Sequence, residues 1–449
     1  MTESAKNAEP IARKIVETLQ SRGFTAYFAG GCVRDALMGR EPVDYDVATN
    51  ARPAEVQALF PRTVAVGAHF GVICVVEQGR EVEVASFRSD GVYIDGRHPV
   101  DVTFSTPEKD AQRRDFTVNG MFRDPIRGEI IDFVNGRADL AAHLLRAIGE
   151  PAHRFAEDRL RMLRAIRFAA VLGFEIEPKT WRAIQAEAGG IREVSAERIR
   201  EELVRIFLSS GRVRGFDLLD ASGLMREVLP EITELKGCEQ PPQFHPEGDV
   251  YVHTRLMLEL LPEKVSLPLV FSVLFHDIGK PGSYSYDEAD QRIRFSGHDS
   301  LGAEMTRRIM TRLRFSSDQI EATVAAVENH MVFKDVKKMR VARLKRFLAR
   351  PYIDDELALH KVDCESSHGS IDNYEFLLQK REEFSHEPLI PPPLINGHDL
   401  IKLGWKPGPA VGEILEAAQT AQLEGVFKNR EEALDWVMTR FQPAKEKDE

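Results

Sequence analysis

Two aspartates two residues apart, Asp44 and Asp46, follow a glycine pair and a lone arginine in Ala29-Gly30-Gly31-Cys32-Val33-Arg34-Asp35. Tyr27-Phe28-Ala29 has the apolar character of a short strand, and Val33 to Met38 the composition of a helix closed by Gly39. Asp44-Tyr45-Asp46-Val47 reads as a second strand, on which alternate side chains share a face, so both carboxylates are expected on one side. Paired carboxylates suit Mg²⁺, a hard cation that takes oxygen ligands and leaves positions open for substrate phosphates. Gly30 and Gly31 let backbone N–H groups approach a phosphate, and Arg34 offers its fork to phosphate oxygens. The implied chemistry is phosphoryl or nucleotidyl transfer assisted by two metals.

Two strand-like runs follow, Val64 to Val76 and Arg80 to Arg88, with a turn at Gln78-Gly79. Glu81 and Glu83 share a face of the second run; Glu83 is the candidate for a third carboxylate, against the plainer reading of an edge-strand charge. Ser89 to Pro99 is polar and punctuated by glycine, as a mobile loop would be. In Arg113-Arg114-Asp115-Phe116-Thr117-Val118-Asn119-Gly120, the adjacent arginines could neutralise a triphosphate, and Asp115 and Asn119 could cap helical turns or contact a ribose. The segment Phe155 to Phe168 contains no helix breaker, and Leu160, Leu163 and Ile166 keep helical spacing for one buried stripe. Asp158, Arg161 and Arg164 step by three along an adjacent face, where a carboxylate beside a guanidinium could read the hydrogen-bonding edge of a base, and Arg167 could reach a phosphate. A salt-bridge ladder on a solvated helix is the alternative, but four arginines within nine residues repel one another unless an anion sits among them.

These three motifs resemble, in order, those of class II tRNA nucleotidyltransferases and bacterial poly(A) polymerases. The resemblance implies Mg²⁺ on Asp44 and Asp46, a triphosphate held by Gly31, Arg34, Arg113 and Arg114, and Asp158 with Arg161 selecting CTP or ATP without a nucleic-acid template. The implied partners are the tRNA 3′ end, CTP and ATP. Two departures stand out: Arg97-His98-Pro99 where the family shows Arg-Arg-Pro, and Asn119-Gly120 where it more often shows Asn-Ala. A poly(A) polymerase, or an enzyme adding only CC or only A, shares these head motifs and stays open.

Farther along, His253 precedes an apolar stretch ending in His276-Asp277, followed by His298, His330 and Asp363. This order resembles the HD-domain metal signature, and by it His253, His276, Asp277 and Asp363 hold one metal while His298 and His330 complete a binuclear site. Imidazole with carboxylate suits Mn, Fe, Ni, Co or Mg ions better than a closed structural zinc site. Such a site implies a metal-dependent phosphohydrolase or a folded spacer.

The whole chain sets the limits. Its 449 residues exceed one core and suggest several domains: a head over 1–145, a helical neck over 146–245, an HD domain over 246–370 and a helical RNA-binding tail over 371–449. The expected class is α+β, a small mixed sheet in the head followed by mostly helical segments. Composition is that of a globular protein, 43% hydrophobic and 29% charged, without an apolar run that could span a membrane and without a secretory leader. Four scattered cysteines without zinc spacing point to free thiols and a cytoplasmic location. A net charge of −11 excludes a generic RNA-coating protein, so RNA must be met by local basic patches. In the tail, Gly404-Trp405-Lys406-Pro407-Gly408 is a candidate phosphate perch with Trp405 offered for stacking, and Ser195 is expected to cap the next helix of the neck.

Overall fold

The computed structural model describes residues 8–67, 71–90, 102–241, 246 and 248–441. The chain forms two compact units: residues up to Thr233 with Arg312–Arg314, and the remainder.

The first unit is built on a mixed seven-stranded sheet, as the α+β expectation requires. Its strands are β1 (Ala26–Ala29), β2 (Asp46–Thr49), β3 (Thr63–Gly67), β4 (Val72–Glu77), β5 (Arg80–Ser86), β8 (Met121–Arg123) and β9 (Ile130–Asp132), ordered β3-β4-β5-β2-β1-β8-β9. The short β6 (Arg88–Asp90) and β7 (Val102–Phe104) pair separately. β2 and β5 run parallel, while the other neighbours in the large sheet run antiparallel. Gln78 and Gly79 both take positive φ, 51° and 77°, and join β4 to β5 as a tight hairpin with Glu77 opposite Arg80. A two-residue turn with φ > 0 at both positions matches the twist of the strands it connects. Along β5, Val82 and Val84 are buried while Glu81 and Glu83 are exposed, so the sheet keeps one apolar face and one carboxylate-bearing face. The helix Gly31–Leu37 leaves β1 directly, and Gly39 follows its end at φ +70°. Helices Pro151–Glu157, Leu160–Leu172, Pro178–Glu187, Ala196–Phe207 and Arg212–Ala221 complete this unit.

The second unit is mostly helical, with one hairpin of Tyr284–Asp287 and Arg292–Phe295. The histidine and aspartate positions lie on or just after the ends of five helices, Val250–Leu260, Leu267–Phe275, His298–Arg312, Ser317–Asn329 and Ile353–Ser366, with His276-Asp277 following the second and His330 the fourth. A separate core of Ile395, Leu400, Trp405, Ile414, Phe427 and Val437 organises the C-terminal helices. Among the described residues, no helix is long and apolar enough to cross a membrane.

Four local expectations require correction. β2 begins at Asp46, so Asp44 lies ahead of the strand rather than on it. The segment 155–168 is not one helix: it breaks at Asp158, whose backbone is extended (φ −148°, ψ 104°). The break follows from the aspartate itself, because Asp158 Oδ1 accepts a 3.1 Å hydrogen bond from the Leu160 N–H and so satisfies a donor at the start of the next helix. Trp405 is only 7% exposed and belongs to the tail core, so it is not offered for stacking. Ser195 occupies the N-cap of Ala196–Phe207 without a side-chain capping bond. The expected loop over 89–99 lies mostly outside the described residues.

Candidate functional site

Three sequence motifs meet in the first unit. Ala29 pairs with Asp46 across β1 and β2, which sets Gly30 beside the Asp46 end of β2. Gly30 has φ +75°, and an added Cβ would lie 3.0 Å from Arg114 Nη1, so both the conformation and the close approach call for glycine. Parallel pairing of Val47 with Val84 places Glu83 beside Asp46 one residue earlier. Protein atoms crowd around the Asp46 carboxylate, although one side meets solvent. Burial, then Glu83, push its pKa up to about 6; Asp44 adds to this, and Arg114 opposes it. A carboxylate held at this cost beside like charges suits a divalent cation, so the fit to Mg²⁺ is good.

The arginines behind these carboxylates are held in a continuous polar chain. Arg34 Nη1 donates to Asn119 Oδ1 at 2.6 Å, and its Nε donates to Asp35 Oδ1 at 2.8 Å. Asn119 Nδ2 donates to Asp115 Oδ1 at 3.2 Å, and Asp115 Oδ2 accepts Arg164 Nε and Nη2 at 2.9 and 2.6 Å. Burial works to raise the Asp115 carboxyl, but Arg164 and the hydrogen bonds outweigh it and hold it at about 2. The Phe168 ring lies under three guanidiniums, Arg34, Arg164 and Arg167, at 5.2, 5.4 and 4.3 Å. Arg113 and Arg114 both bond the buried Asp110, and Arg114 also donates to the Asn119 carbonyl.

Asp158 and Arg161 sit at the junction of the two helices. Arg161 Nη1 donates to Glu157 Oε2 at 2.6 Å, and its Nη2 donates to the Arg113 carbonyl at 3.2 Å. Asp158 Oδ2 accepts Arg198 Nη2 at 2.8 Å. Arg167 is buried against Glu202, its Nε 3.1 Å from the carboxylate, and burial draws its pKa down to about 10.

In the second unit, His253 Nε2 lies 3.2 Å from Asp363 Oδ1, and His276 Nε2 3.0 Å from Asp277 Oδ2. His298 and His330 stand 3.6 and 3.8 Å from Asp277 Oδ1. Among the described residues, two groups of three donors close to within 4.8 Å: His253–His276–Asp277 and Asp277–His298–His330. The Nδ1 atoms of His276, His298 and His330 face the carbonyls of Val273, Phe295 and Val327 at 3.0, 2.7 and 2.6 Å. A carbonyl only accepts, so these contacts place the proton on Nδ1 and leave the Nε2 lone pairs facing inward. The Nε2 atoms of His298 and His330 are then 3.1 Å apart, an arrangement that a shared cation relieves. Burial would raise the Asp277 carboxyl, but His276, Lys280 and His298 hold it well below the usual range. Burial keeps His330 neutral by lowering its pKa to about 4. The donor set fits a binuclear transition-metal centre. Gly279 makes the approach possible, since a Cβ there would meet the His298 carbonyl oxygen at 2.2 Å. A cavity of about 670 Å³ opens over Asp277, His298, His330 and Asp363, bordered by Lys280, Lys334 and the hairpin.

Comparison with known proteins matches this arrangement segment by segment. Residues 26–146 match the family described as Poly A polymerase head domain, and 173–236 the one described as Probable RNA and SrmB-binding site of polymerase A. Residues 250–363 match the HD domain, and 391–437 the putative tRNA nucleotidyltransferase domain 2. A CCA-adding enzyme of Lactobacillus johnsonii is 31% identical over 430 residues, 94% of this chain and 95% of its own. One from Anoxybacillus flavithermus is 32% identical over 431 residues, 95% of this chain and 96% of its own. This chain belongs to the CCA-adding enzyme family. The Bacillus stearothermophilus CCA-adding enzyme in complex with CTP shares the fold at a TM-score of 0.72 and 26% identity, over 98% of both chains. The Thermotoga maritima CCA-adding enzyme complexed with tRNA shows the same fold at a TM-score of 0.60 and 21% identity, over 96% of this chain and 94% of its own.

For a CCA-adding enzyme, most of the residues singled out in the sequence do come together: Asp46 with Glu83, Arg34 with Asn119 and Asp115, and Arg164 with Asp115. Asp158 and Arg161 do not pair with each other in this structure; each has a different partner. Sequence reasoning passed over Asp110, Glu157, Arg198, Glu202, Phe168, Gln240 and Lys280. Glu157 and Phe168 stood inside a motif already marked, and Lys280 three residues beyond Asp277 is the spacing of its 2.6 Å ion pair. Asp110 stands three and four residues before Arg113 and Arg114, the spacing of its ion pairs, whereas Arg198, Glu202 and Gln240 carried no local signal, because their partners Asp158, Arg167 and Lys280 come from distant segments.

Proposed function

We propose that this protein adds C, C and A from CTP and ATP to tRNA 3′ ends without a nucleic-acid template. The observation that carries this function is the hydrogen-bonded chain Arg34–Asn119–Asp115–Arg164, which joins all three head motifs behind the Asp46–Glu83 pair. Asp44 and Asp46, with Glu83 as the third carboxylate, hold Mg²⁺. Bound there, Mg²⁺ would lower the pKa of the primer hydroxyl and stabilise the displacement of pyrophosphate. Gly30, Gly31, Arg34, Arg113 and Arg114 receive the triphosphate, with Asp115 and Asn119 orienting the arginines. Asp158 and Arg161 read the base edge: Glu157 and Arg198 hold them in place and release them to the incoming nucleotide, while Arg164 and Arg167 fix the helix beneath. The head over 1–145 performs the transfer, the neck over 146–245 selects the nucleotide, and the tail over 371–449 contributes to RNA binding. Four unpaired cysteines support a reducing, cytoplasmic setting.

Extension of tRNA transcripts ending before, within and after CCA tests this, with Mg²⁺ and each nucleotide singly and mixed. Addition of C, C and A followed by a stop is expected. Long A tails from ATP alone make the protein a poly(A) polymerase, and addition of only C residues or only A makes it a partial enzyme.

A second reading applies to the other unit: the gathered donors below an open cavity support hydrolysis of phosphate esters by the HD centre. Manganese- or nickel-loaded protein is expected to cleave a phosphomonoester and to lose this on Asp277→Ala. Equal activity in both proteins removes that reading.

A further inference from the structure

The chain is acidic overall, yet residues 334–350 contain eight basic side chains and one acidic one. Part of this charge is used structurally. Lys338 pairs with Asp335 at 2.8 Å, Arg350 with the buried Glu356 at 2.9 Å, and Arg346 donates to Thr420 Oγ1 at 2.9 Å. Lys345 lies 5.2 Å over the Phe384 ring. Four others, Lys334, Lys337, Arg340 and Arg343, are exposed and make no side-chain hydrogen bond or ion pair among the described residues.

The fold gathers these four. The short 3₁₀ segment His330–Lys338 leads directly into the helix Val341–Leu348, which buries Ala342, Leu344, Phe347 and Leu348. Arg340 and Arg343 are three apart on the side away from that buried face, and Lys334, Lys338 and Arg343 all act electrostatically on Asp335. Phe333 and Phe347 pack at 5.1 Å beneath, and Glu424 accepts from the Ala342 N–H at 3.0 Å, so the surface is on rigid, anchored backbone.

Unpaired cations crowded on one rigid face, in a protein of net charge −11, are a local attraction for a polyanion. We infer that Lys334, Lys337, Arg340 and Arg343 form a docking face on the HD-containing unit for the phosphate backbone of an RNA duplex. These residues fall outside 173–236, the stretch matched to an RNA-binding description. The occupant follows from the CCA-adding reading, on which this inference rests: tRNA is the polyanion on which that activity works. Such contacts position the RNA without reading its sequence.

The test is binding of full-length protein to tRNA lacking CCA, over a salt series, with steady-state kinetics on the same substrate. The triple variant Lys337→Gln, Arg340→Gln, Arg343→Gln is compared with Lys337→Arg, Arg340→Lys, Arg343→Lys, which keeps the charge. Removing one cation–phosphate pair makes the slope of log affinity against log salt shallower by about 0.9, so the slope of the neutral variant is expected to fall by about 2 to 3. At moderate salt its KM for tRNA should rise at least about tenfold, with kcat and KM for CTP unchanged. The charge-keeping variant should match wild type. A neutral variant with wild-type slope and wild-type KM for tRNA overturns the inference. A slope difference in a protein that binds tRNA but adds no nucleotide keeps the docking face and overturns the CCA-adding function instead.

Discussion

The Asn119 carboxamide accepts a 2.6 Å hydrogen bond from Arg34 and, through its amide nitrogen, donates to Asp115 at 3.2 Å. One short side chain thus connects the arginine after the glycine pair to the carboxylate that anchors Arg164. Asn119→Ala removes both bonds and leaves a buried guanidinium short of an acceptor, which costs about 1–3 kcal/mol. Under the proposed role of Arg34 in holding the triphosphate, kcat/KM for CTP and ATP should both fall at least about tenfold. Urea unfolding and single-nucleotide extension of the same preparations check the two effects.

Glu83 stands beside Asp46 because β2 and β5 are parallel in this register. As a metal-holding carboxylate, Glu83→Gln should lower nucleotide addition by about 10- to 100-fold and raise the Mg²⁺ concentration needed for half-maximal rate. Asp44→Ala should abolish addition. A Glu83→Gln protein with wild-type Mg²⁺ dependence would show that Glu83 is only a strand charge.

Asp115 gives a pH-dependent term of known sign. Its folded pKa of about 2 is below the ordinary carboxylate value of 3.8, so the ionised form stabilises the fold. This contribution, about 2 kcal/mol, is fully present above the unfolded pKa and is lost as pH falls through it towards the folded pKa. About half should be gone near pH 3. Denaturant unfolding of wild type and Asp115→Asn between about pH 5 and pH 3 should therefore converge as the solution is acidified. A gap that stays constant would mean Asp115 is not ionised against Arg164.

Gly279 is forced by contact rather than by its dihedral angles: its Cβ position is 2.2 Å from the His298 carbonyl oxygen and 2.8 Å from the Gly302 nitrogen. Both are backbone atoms that cannot rotate away. Gly279→Ala should push His276-Asp277 from His298, cost about 1–3 kcal/mol, and lower bound manganese or nickel as read by elemental analysis. Wild-type metal content in this variant would show that the HD donors tolerate the displacement.

Much of the chemistry was legible along the chain. The glycine pair, the aspartates and the ordered histidines are local patterns, and so is the Gln78-Gly79 turn, because turn geometry depends on adjacent residues alone. The helix across 155–168 misled: apolar spacing favoured continuity, while Asp158 found its bond with the Leu160 N–H and ended the first helix. Trp405 misled similarly, since an aromatic in a glycine-rich loop could equally stack on RNA or fill the tail core, and packing against Ile414 and Val437 decided it.

The amino-acid sequence by itself determined which groups are present for catalysis and metal binding, and that β4 and β5 close through a two-residue turn. Only the tertiary structure decided who faces whom: Glu83 beside Asp46, Arg198 on Asp158, and Glu202 on Arg167. Strand register and helix packing bring together residues tens of positions apart, and those contacts are chosen by burial of the whole core rather than by any local pattern.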